Sequence, residues 1–543
     1  MSATEEVKAD SKVAAPQPAQ PETFKDSTLQ RVVDAVICIG LTVWLIFAWG
    51  NHPDTIAFPA FLYFCIIAKI GTKRISNETL SKPFAVVFGP ISSAMSKFSD
   101  NIWAGVFFAA TLAIAIVSIL VIPDSEAGSK LDRARSLLGL ILIIVLVYAC
   151  SNNRAAVDFR LVSVGILAQF LLGLFVLKTT FGNNIFSFIS KMVAGFLGLG
   201  KNFGLKFLWF DAVLLQNFIV NVLPAIIFFA SFIQVVYYLG AMQWLVIKFA
   251  WVMVRLMNTS GSESVVAAAS PFVGQGESAL MVLPFLEFMT ESEIHTIMAS
   301  GFSTIAGSVL FAFLSMGIDG TALITSCIMS VPCSLALSKL RWPETEASLS
   351  KGDVTIPDNG EHHEVNVLHA AANGAAQGMT LAGLITGSLL SIIALYNLCD
   401  IVFTEFFRYL NPSAPISINR VLGYVFWPFA WALGVPIQDC TYVGQLLGMK
   451  MVINEFAAYD ELSFLIGKNA QRKAEAVLSK RGELLATYAL CGFANIGSVG
   501  IQIGCLGAMA PSRRGDIAKI AVPAMLVGTM CTLCSACIAG ILL

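Results

Sequence analysis

The sequence predicts an all-α membrane protein whose chain crosses the bilayer many times. Of its 543 residues, 56% are hydrophobic and only 13% are charged, whereas a soluble protein carries about 25% charged residues. Several apolar segments approach the roughly 20 residues that a helix needs to span a bilayer. This composition excludes a cytosolic enzyme, a coiled coil and a disulfide-stapled secreted domain. The formal net charge of −1 argues against nucleic-acid binding.

Polar stretches divide the apolar segments from one another. Residues 1–31 are polar and contain alanine and proline runs, so we expect a disordered cytosolic tail. A polar stretch near Arg341–Glu364 separates the remainder into two halves. The predicted spans are Val32–Gly50, Thr55–Gly71, Asn101–Pro123, Ser136–Cys150, Leu161–Lys178, Phe218–Leu239, His295–Met316, Thr321–Leu337, Met379–Leu398, Ile418–Gly434, Leu484–Cys505 and Ile520–Leu543.

Two stretches are too interrupted to cross the bilayer as plain helices. The first, Ser260–Met289, is broken by a proline and two glycines and has Glu277 in its middle. The second, Pro436–Ile466, is also interrupted and has Asn454 and Glu455 in its middle. Both resemble re-entrant helical hairpins, which a bilayer tolerates only where protein or a water-filled cavity satisfies the freed backbone groups.

A short internal repeat follows each hairpin. Residues 301–309 read GFSTIAGSV and residues 492–499 read GFANIGSV, which match at Gly, Phe, Ile, Gly, Ser and Val once one residue is deleted. A broken hairpin with a glutamate, followed by a helix carrying this string, therefore occurs twice. This duplication is typical of inverted-repeat transporters, whose interrupted segments meet at a substrate site near the bilayer midplane.

Glu277 and Glu455 are the leading candidates for ligand contact. An ionisable side chain inside a bilayer is energetically costly and is a functional hypothesis by default; the alternative is a structural carboxylate satisfied by a neighbouring helix. Asn495 and Ser498 lie three residues apart on one helical face, and an amide beside a hydroxyl suits a polyhydroxylated neutral ligand. For Ser498, a small polar residue that joins two helices is an equal alternative.

Other conspicuous residues are interpreted as structural. Cys531, Cys534 and Cys537 form a CxxCxxC run inside the last apolar segment, where we expect them to be packed in the interior. His295 is expected at a solvated helix start beside two glutamates. Residues Met242–Met257 are expected to form an amphipathic helix at the membrane interface, with snorkelling charged ends.

Other functional classes find less support in the sequence. An ATP-driven pump would need a Gly-rich loop before Gly-Lys-Ser/Thr, and a membrane enzyme would need a HExxH helix, paired aspartates or an activated nucleophile. The sequence contains none of these patterns, so we expect neither enzymatic activity nor a cofactor. A channel stays open as an alternative, because hairpins also build selectivity filters.

Five motifs carry a family resemblance. GQGE at 274–277, GFSTIAGSV at 301–309, NEF at 454–456, GFANIGS at 492–498 and APSRR at 510–514 resemble, in this order, the concentrative nucleoside transporter family. The resemblance runs from about Ser136 to the last residue and is closest to the longer eukaryotic form. The implied organisation is a tail (1–31), additional amino-terminal helices (32–135), scaffold helices with an interfacial helix (136–258), a first transport-domain repeat (259–338), a polar connecting loop (339–378), further scaffold helices (379–434), a second transport-domain repeat with a discontinuous helix (435–517) and a final transmembrane helix (518–543).

The resemblance also implies how such a protein works. It implies a plasma-membrane homotrimer in which a scaffold holds a mobile, elevator-type transport domain. Basic loops in the first half of the chain place the amino terminus in the cytosol by the positive-inside rule. The partners of such a protein would be a nucleoside, a coupling cation and the lipid bilayer, without nucleic acid. The implied substrate-binding residues are Gln275, Gly276, Glu277 and Val309 around the nucleobase, Glu455, Asn495 and Ser498 around the ribose hydroxyls, and Phe493 beside the ligand.

One departure from the family pattern concerns base selectivity. Where the family has Gln-Thr/Ser-Glu, this chain has Gln275-Gly276-Glu277. The missing hydroxyl removes a possible hydrogen bond to the base and widens the pocket. We therefore expect purine nucleosides to be accepted alongside uridine.

A second departure concerns the coupling ion. Sodium-coupled members have an asparagine four residues before the GQ glycine, and this chain has Ser270 there. The implied sodium ligands are Ser270, Val273, Thr304 and Ile305. Because a serine hydroxyl reaches less far than an amide, the sodium site is weakened. We therefore favour proton coupling, with Glu277 or Glu455 as the titrating carboxylate, and keep sodium coupling as the alternative; no firm metal site is expected.

Overall fold

The computed structural model describes residues 28–51, 60, 63, 66, 67, 70, 99–125, 128–209, 218–348, 364–410, 416–469, 472 and 475–543. The chain divides into two compact units, residues 1–74 and 75–543. In the first unit, helix α1 (Thr28–Asn51) places the Thr42 hydroxyl 2.9 Å from the hydroxyl of Tyr63. Most of the predicted tail and most of the predicted span Thr55–Gly71 lie outside the described residues.

The second unit is built from helices throughout its described part, which confirms the predicted all-α class. Its helices are α2 (Asp100–Val121), α3 (Lys130–Ala149), α4 (Phe159–Lys178), α5 (Thr180–Leu199), α6 (Phe218–Tyr238), α7 (Ala241–Met257), α8 (Gly261–Val273), α9 (Glu277–Leu280), α10 (Leu283–Leu286), α11 (Glu291–Ser303), α12 (Gly307–Ser315), α13 (Gly320–Arg341), α14 (Val367–Leu410), α15 (Ile418–Ala432), α16 (Cys440–Val452), α17 (Glu455–Leu465), α18 (Lys480–Leu490), α19 (Ile496–Met509) and α20 (Arg514–Leu542).

Length and composition make several of these helices fit to cross a membrane. Six spans in the described part qualify, or seven if the bent pair α6 and α7 counts as one. The axis turns by 79° between α6 and α7, at Gly240, whose φ of +68° favours glycine. The predicted amphipathic segment Met242–Met257 is therefore a helix set at a steep angle to its neighbour.

The helices differ in how deeply they are buried. In the apolar stretch of α20, 89% of the residues are buried, whereas in those of α2 and α14 only 17% of the residues are buried. The outward apolar side chains of α2 and α14 suit contact with lipid or with other protein. Cys531, Cys534 and Cys537 lie on α20 and are fully buried, which confirms that they pack in the interior.

Helix α14 is longer than the sequence analysis predicted. It begins at Val367 and not at Met379, so the polar connecting loop is shorter than the predicted 339–378. The added turns are rich in alanine and pack on α6 through Gly374 and Gly378. A Cβ atom at these glycines would lie 2.6 Å from the Ala230 carbonyl oxygen and 2.8 Å from the Ile227 Cα atom. Small residues allow this close approach of two helices.

Two buried arginines tie helix ends together. Arg133 on α3 donates a hydrogen bond to the Leu543 carbonyl, at 3.2 Å. Arg481 on α18 donates to the carbonyls of Gly434, at 2.7 Å, and Gly540, at 2.9 Å. Helix ends leave carbonyls without an intrahelical partner, and these guanidinium groups satisfy them inside the protein.

Candidate functional site

The two repeat strings lie at helix breaks that contact each other. GFSTIAGSV spans the gap between α11 and α12, and GFANIGSV spans the gap between α18 and α19. The Phe493 N–H donates to the Thr304 carbonyl at 3.2 Å and joins the breaks. The prediction of a single helix through each string is wrong, because residues 304–306 and 491–495 leave the helical conformation. The second interruption lies in the stretch where the family resemblance implied a discontinuous helix.

The first glycine of each string is required by close packing. A Cβ atom at Gly301 would lie 3.1 Å from the Gln275 Cα atom, and one at Gly492 would lie 2.7 Å from the Phe302 carbonyl oxygen. Backbone therefore approaches backbone at both breaks, and the repeat of Gly-Phe in the sequence marks these two crossings.

Glu455 lies at the centre of the second hairpin. It is the first residue of α17 and is only 3% exposed. Asn454 precedes it and caps α17, since its side chain accepts a hydrogen bond from the Ala457 N–H at 3.0 Å. The carboxylate thus lies in the first helical turn, where the helix dipole favours negative charge.

Asn495 joins this carboxylate to α19. Its Oδ1 atom accepts from the Ser498 N–H at 2.7 Å and caps α19, and its Nδ2 atom donates to Glu455 Oε2 at 2.8 Å. The first hydrogen bond needs an acceptor and the second needs a donor, so the orientation of the Asn495 amide is fixed. The structure thereby brings together three residues that the sequence analysis predicted for the site.

The first hairpin turns at Gly274, Gln275 and Gly276. Gly274 has φ of +105°, a conformation that favours glycine. Glu277 begins α9 directly afterwards and is exposed, in contrast to Glu455. The two predicted glutamates therefore have different surroundings. Val309, the remaining residue assigned to the base, is buried on α12.

Cys505 of α19 borders the position where the family has a hydroxyl. A Cβ atom at Gly276 would lie 3.3 Å from the Cys505 sulfur atom. The space beside Gly276 is therefore limited by the Cys505 side chain of α19.

The four residues assigned to a sodium ion lie at one junction between α8 and the break after α11. A Cβ atom at Gly274 would lie 3.1 Å from the Ala306 Cβ atom, and one at Gly307 would lie 3.1 Å from the Phe272 carbonyl oxygen. The end of α8, with Ser270 and Val273, thus packs on the segment that contains Thr304 and Ile305.

The hydroxyl groups at this junction already have intrahelical partners. Ser270 donates to the Val266 carbonyl at 2.8 Å, and its oxygen lies 3.3 Å from the Ser278 hydroxyl. Thr304 donates to the Ser300 carbonyl at 3.2 Å. Each hydroxyl oxygen keeps a lone pair for a cation, and neutral oxygen atoms are ligands that hard cations accept.

Gln502 is a site residue that the sequence analysis missed. It lies on α19, is fully buried, and donates from Nε2 to the Gln275 carbonyl at 3.1 Å. The sequence contains a signal for this residue, because Gln502 follows Asn495 and Ser498 at the spacing that places all three on one face of a helix. Extending that face by one turn would have found it.

Lys450 was also missed. It is fully buried on α16 and donates to the Ala489 carbonyl at 2.9 Å and to the Thr532 hydroxyl at 3.2 Å. Ala489 lies in the last turn of α18, where carbonyls lack intrahelical partners and a cation is favourable. A lone lysine inside an apolar run was the sequence signal for this cap.

The prediction of a solvated His295 is wrong. The side chain is fully buried, its Nδ1 atom lies 2.6 Å from the Ser338 hydroxyl, and its ring stacks on Trp342 with centroids 5.6 Å apart. Helix α11 begins at Glu291, so His295 lies in its second turn and faces α13. The adjacent glutamates suggested solvent because sequence alone does not fix which face of a helix is buried.

Comparison with known proteins agrees with this geometry. Family models described as "Na+ dependent nucleoside transporter N-terminus", "Nucleoside recognition" and "Na+ dependent nucleoside transporter C-terminus" match residues 138–211, 219–319 and 322–540. Sodium/nucleoside cotransporter 1 of Sus scrofa is 37% identical over 497 residues, which is 90% of this chain and 74% of the relative. The chain belongs to the concentrative nucleoside transporter family. The resemblance stated from the motifs is thereby confirmed.

Further relatives extend the comparison. Solute carrier family 28 member 3 of Mus musculus is 40% identical over 443 residues, 80% of this chain and 62% of the relative, so the match spans less than two thirds of that protein. The solved structure of CNTnw in an inward-facing substrate-bound state has a TM-score of 0.71 at 34% identity and covers 76% of this chain and 98% of that chain. A substituted CNTnw in an outward-facing state has a TM-score of 0.72. The protein is therefore a multi-pass integral membrane protein with the transporter fold, and membership of a family of transporters supports the non-enzyme prediction.

Proposed function

We propose that the protein is a secondary active, cation-coupled nucleoside importer. The observation that carries this proposal is the buried carboxylate of Glu455, held by the Asn495 amide at 2.8 Å. An ionised carboxylate accepts hydrogen bonds from two vicinal hydroxyl groups with charge-assisted strength, which matches the ribose diol. The Ser498 side chain, buried one turn along α19, extends the same polar surface.

The base end of the proposed site is the tip of the first hairpin. We assign Gln275, Glu277 and Val309 to the nucleobase and Phe493 to packing beside it. Gly276 offers no hydrogen bond from a side chain, which supports acceptance of uridine and purine nucleosides. Cys505 lies close enough to Gly276 to limit the size of the base that fits.

We propose proton coupling, with Glu277 or Glu455 carrying the proton. Protonation would neutralise a charge that the transport domain otherwise carries through the bilayer, where an ion is costly. A sodium-coupled symporter is the second candidate. The descriptions of two matching family models favour it, as do the oxygen atoms gathered at the Ser270 and Thr304 junction.

We further propose an elevator-type mechanism in a plasma-membrane homotrimer with a cytosolic amino terminus. The two hairpins and the two breaks would form the mobile transport domain. The exposed apolar surface of the 44-residue helix α14 supports a scaffold role, since such a helix needs lipid or protein against it.

Uridine accumulation in proteoliposomes tests the proposal. Vesicles with an acid-outside gradient and no sodium should concentrate uridine above equilibrium, and a protonophore should abolish the accumulation. Glu455→Gln should abolish it as well, because an amide NH2 group would face the ribose hydroxyls. Accumulation only with a sodium gradient would show that sodium, and not the proton, is the coupling ion. Equilibration without accumulation under both gradients would indicate a channel and refute active transport.

A further inference from the structure

Two amide oxygen atoms lack hydrogen-bond partners where the two repeats meet. Gln275 Oε1 and Gln502 Oε1 are both buried, and no residue in the described part of the chain donates to either. The Gln502 side chain is fully buried. A buried acceptor without a partner destabilises the protein, so a ligand that donates to both atoms would recover this free energy.

The orientation of Gln502 follows from its one hydrogen bond. Its NH2 group donates to the Gln275 backbone carbonyl at 3.1 Å. A backbone carbonyl only accepts, so the Gln502 amide cannot be turned around without losing this bond. Gln502 Oε1 therefore stays an acceptor, whereas the Gln275 side chain can rotate to present either end of its amide.

The two side chains converge at a position kept open by a glycine. A Cβ atom at Gly301 would lie 2.6 Å from Gln502 Nε2 and 2.9 Å from Gln275 Cβ. Gln502 also shares its face of α19 with Ser498, which belongs to the ribose end of the proposed site. The polar face of α19 thus continues from the ribose end to the tip of the first hairpin.

We propose that Gln502 determines specificity in the nucleobase subsite by accepting a hydrogen bond from an exocyclic amino group of the base. This inference rests on the proposed nucleoside transport. Adenine and cytosine carry an amino group where hypoxanthine and uracil carry a carbonyl. A carbonyl oxygen would face the fixed Gln502 oxygen with lone pair against lone pair, whereas an amino group would donate to it. Adenosine is therefore preferred over inosine, and cytidine over uridine.

Uptake ratios for matched nucleosides test this inference. Initial rates of adenosine and inosine uptake, and of cytidine and uridine uptake, are measured in the same proteoliposomes under the gradient that supports transport. One hydrogen bond of ordinary strength corresponds to a preference of about 3- to 10-fold. Gln502→Met preserves the approximate length of the side chain and should bring both ratios close to one. A loss of packing alone would lower all four rates together and leave the ratios unchanged.

Gln169→Met provides a matched control. Gln169 on α4 is also fully buried, donates from Nε2 to the Ser535 hydroxyl at 2.9 Å, and has an Oε1 atom without a partner among the described residues. It belongs to no part of the proposed site, so this variant should keep the wild-type ratios. If Gln502→Met abolishes uptake, the same ratios are read from the thermal stabilisation of the purified variant by each nucleoside.

The outcomes separate the two proposals. Wild-type ratios near or below one, or ratios unchanged in Gln502→Met, would overturn the role of Gln502 while nucleoside transport stands. A wild-type protein that transports none of the four nucleosides under a proton or a sodium gradient would overturn the proposed function itself.

Discussion

Replacing Asn495 by aspartate should make nucleoside transport fail at alkaline pH. In the structure the Asn495 Nδ2 atom donates to Glu455 at 2.8 Å, and Oδ1 caps α19 through the Ser498 N–H at 2.7 Å. Aspartate caps a helix as well as asparagine does, so α19 keeps its first turn. The oxygen that replaces Nδ2, however, faces the Glu455 carboxylate.

The distance sets the size of the effect. Two unit charges 2.8 Å apart repel by about 6 kcal/mol at an effective dielectric constant of about 20. Two ionised carboxylates at this distance are therefore strongly disfavoured, so at neutral pH the pair keeps one shared proton. With that proton, the aspartic acid donates to Glu455 much as asparagine does. At alkaline pH the second carboxyl also ionises, and uptake relative to wild type should then fall about tenfold per pH unit.

The assay is the initial rate of uridine uptake into proteoliposomes between pH 6.5 and 9, with the transmembrane gradient held constant and each rate divided by that of the wild type. Asn495→Ser is the control, because serine caps the helix without adding a charge. Its relative rate should be low and independent of pH. If Asn495→Asp gives an equally flat profile, no carboxylate faces residue 495 and the assignment of Glu455 to this contact is refuted.

Four further substitutions test other parts of the structure. Ser270→Asn should create or strengthen sodium dependence of uridine uptake; equal sodium dependence in both proteins would show that the native site already serves sodium. Gly276→Thr should lower the ratio of purine to pyrimidine uptake, and an unchanged ratio would contradict the role given to this glycine. Gly492→Ala places a methyl group 2.7 Å from a backbone oxygen, so it should lower the free energy of unfolding by about 1–3 kcal/mol and lower the Tm measured in detergent. Gly500→Ala is the control, because Gly500 has open space around it, and it should leave the Tm unchanged. Arg481→Met removes the charge-assisted hydrogen bonds to the Gly434 and Gly540 carbonyls and to the Ser136 hydroxyl, so it should lower the Tm strongly. Exposed Lys480→Met should not; equal Tm values for the two variants would refute the anchoring role.

Several features of the protein follow from the sequence by itself. Hydrophobic content and segment length predicted an all-α membrane protein, because burial in lipid needs long apolar helices. The repeated strings marked two places where backbone packs closely, at Gly301 and Gly492, although they were predicted as helices and not as breaks. The cost of polar residues inside a membrane made Glu455 and Asn495 separate candidates, and the family resemblance grouped them with Ser498. The choice between proton and sodium stays a prediction.

Only the tertiary structure decided which groups meet. The hydrogen bonds from Phe493 to Thr304, from Asn495 to Glu455 and from Gln502 to Gln275 join residues 189, 40 and 227 positions apart in the chain. Local sequence patterns indicate where helices begin and break and which residues are polar, but they do not show which face of a helix is buried. For that reason His295 was expected in solvent, and the burial of Lys450 at the end of α18 was not expected. The partner of a buried polar group depends on how distant helices cross, and that geometry exists only in the folded chain.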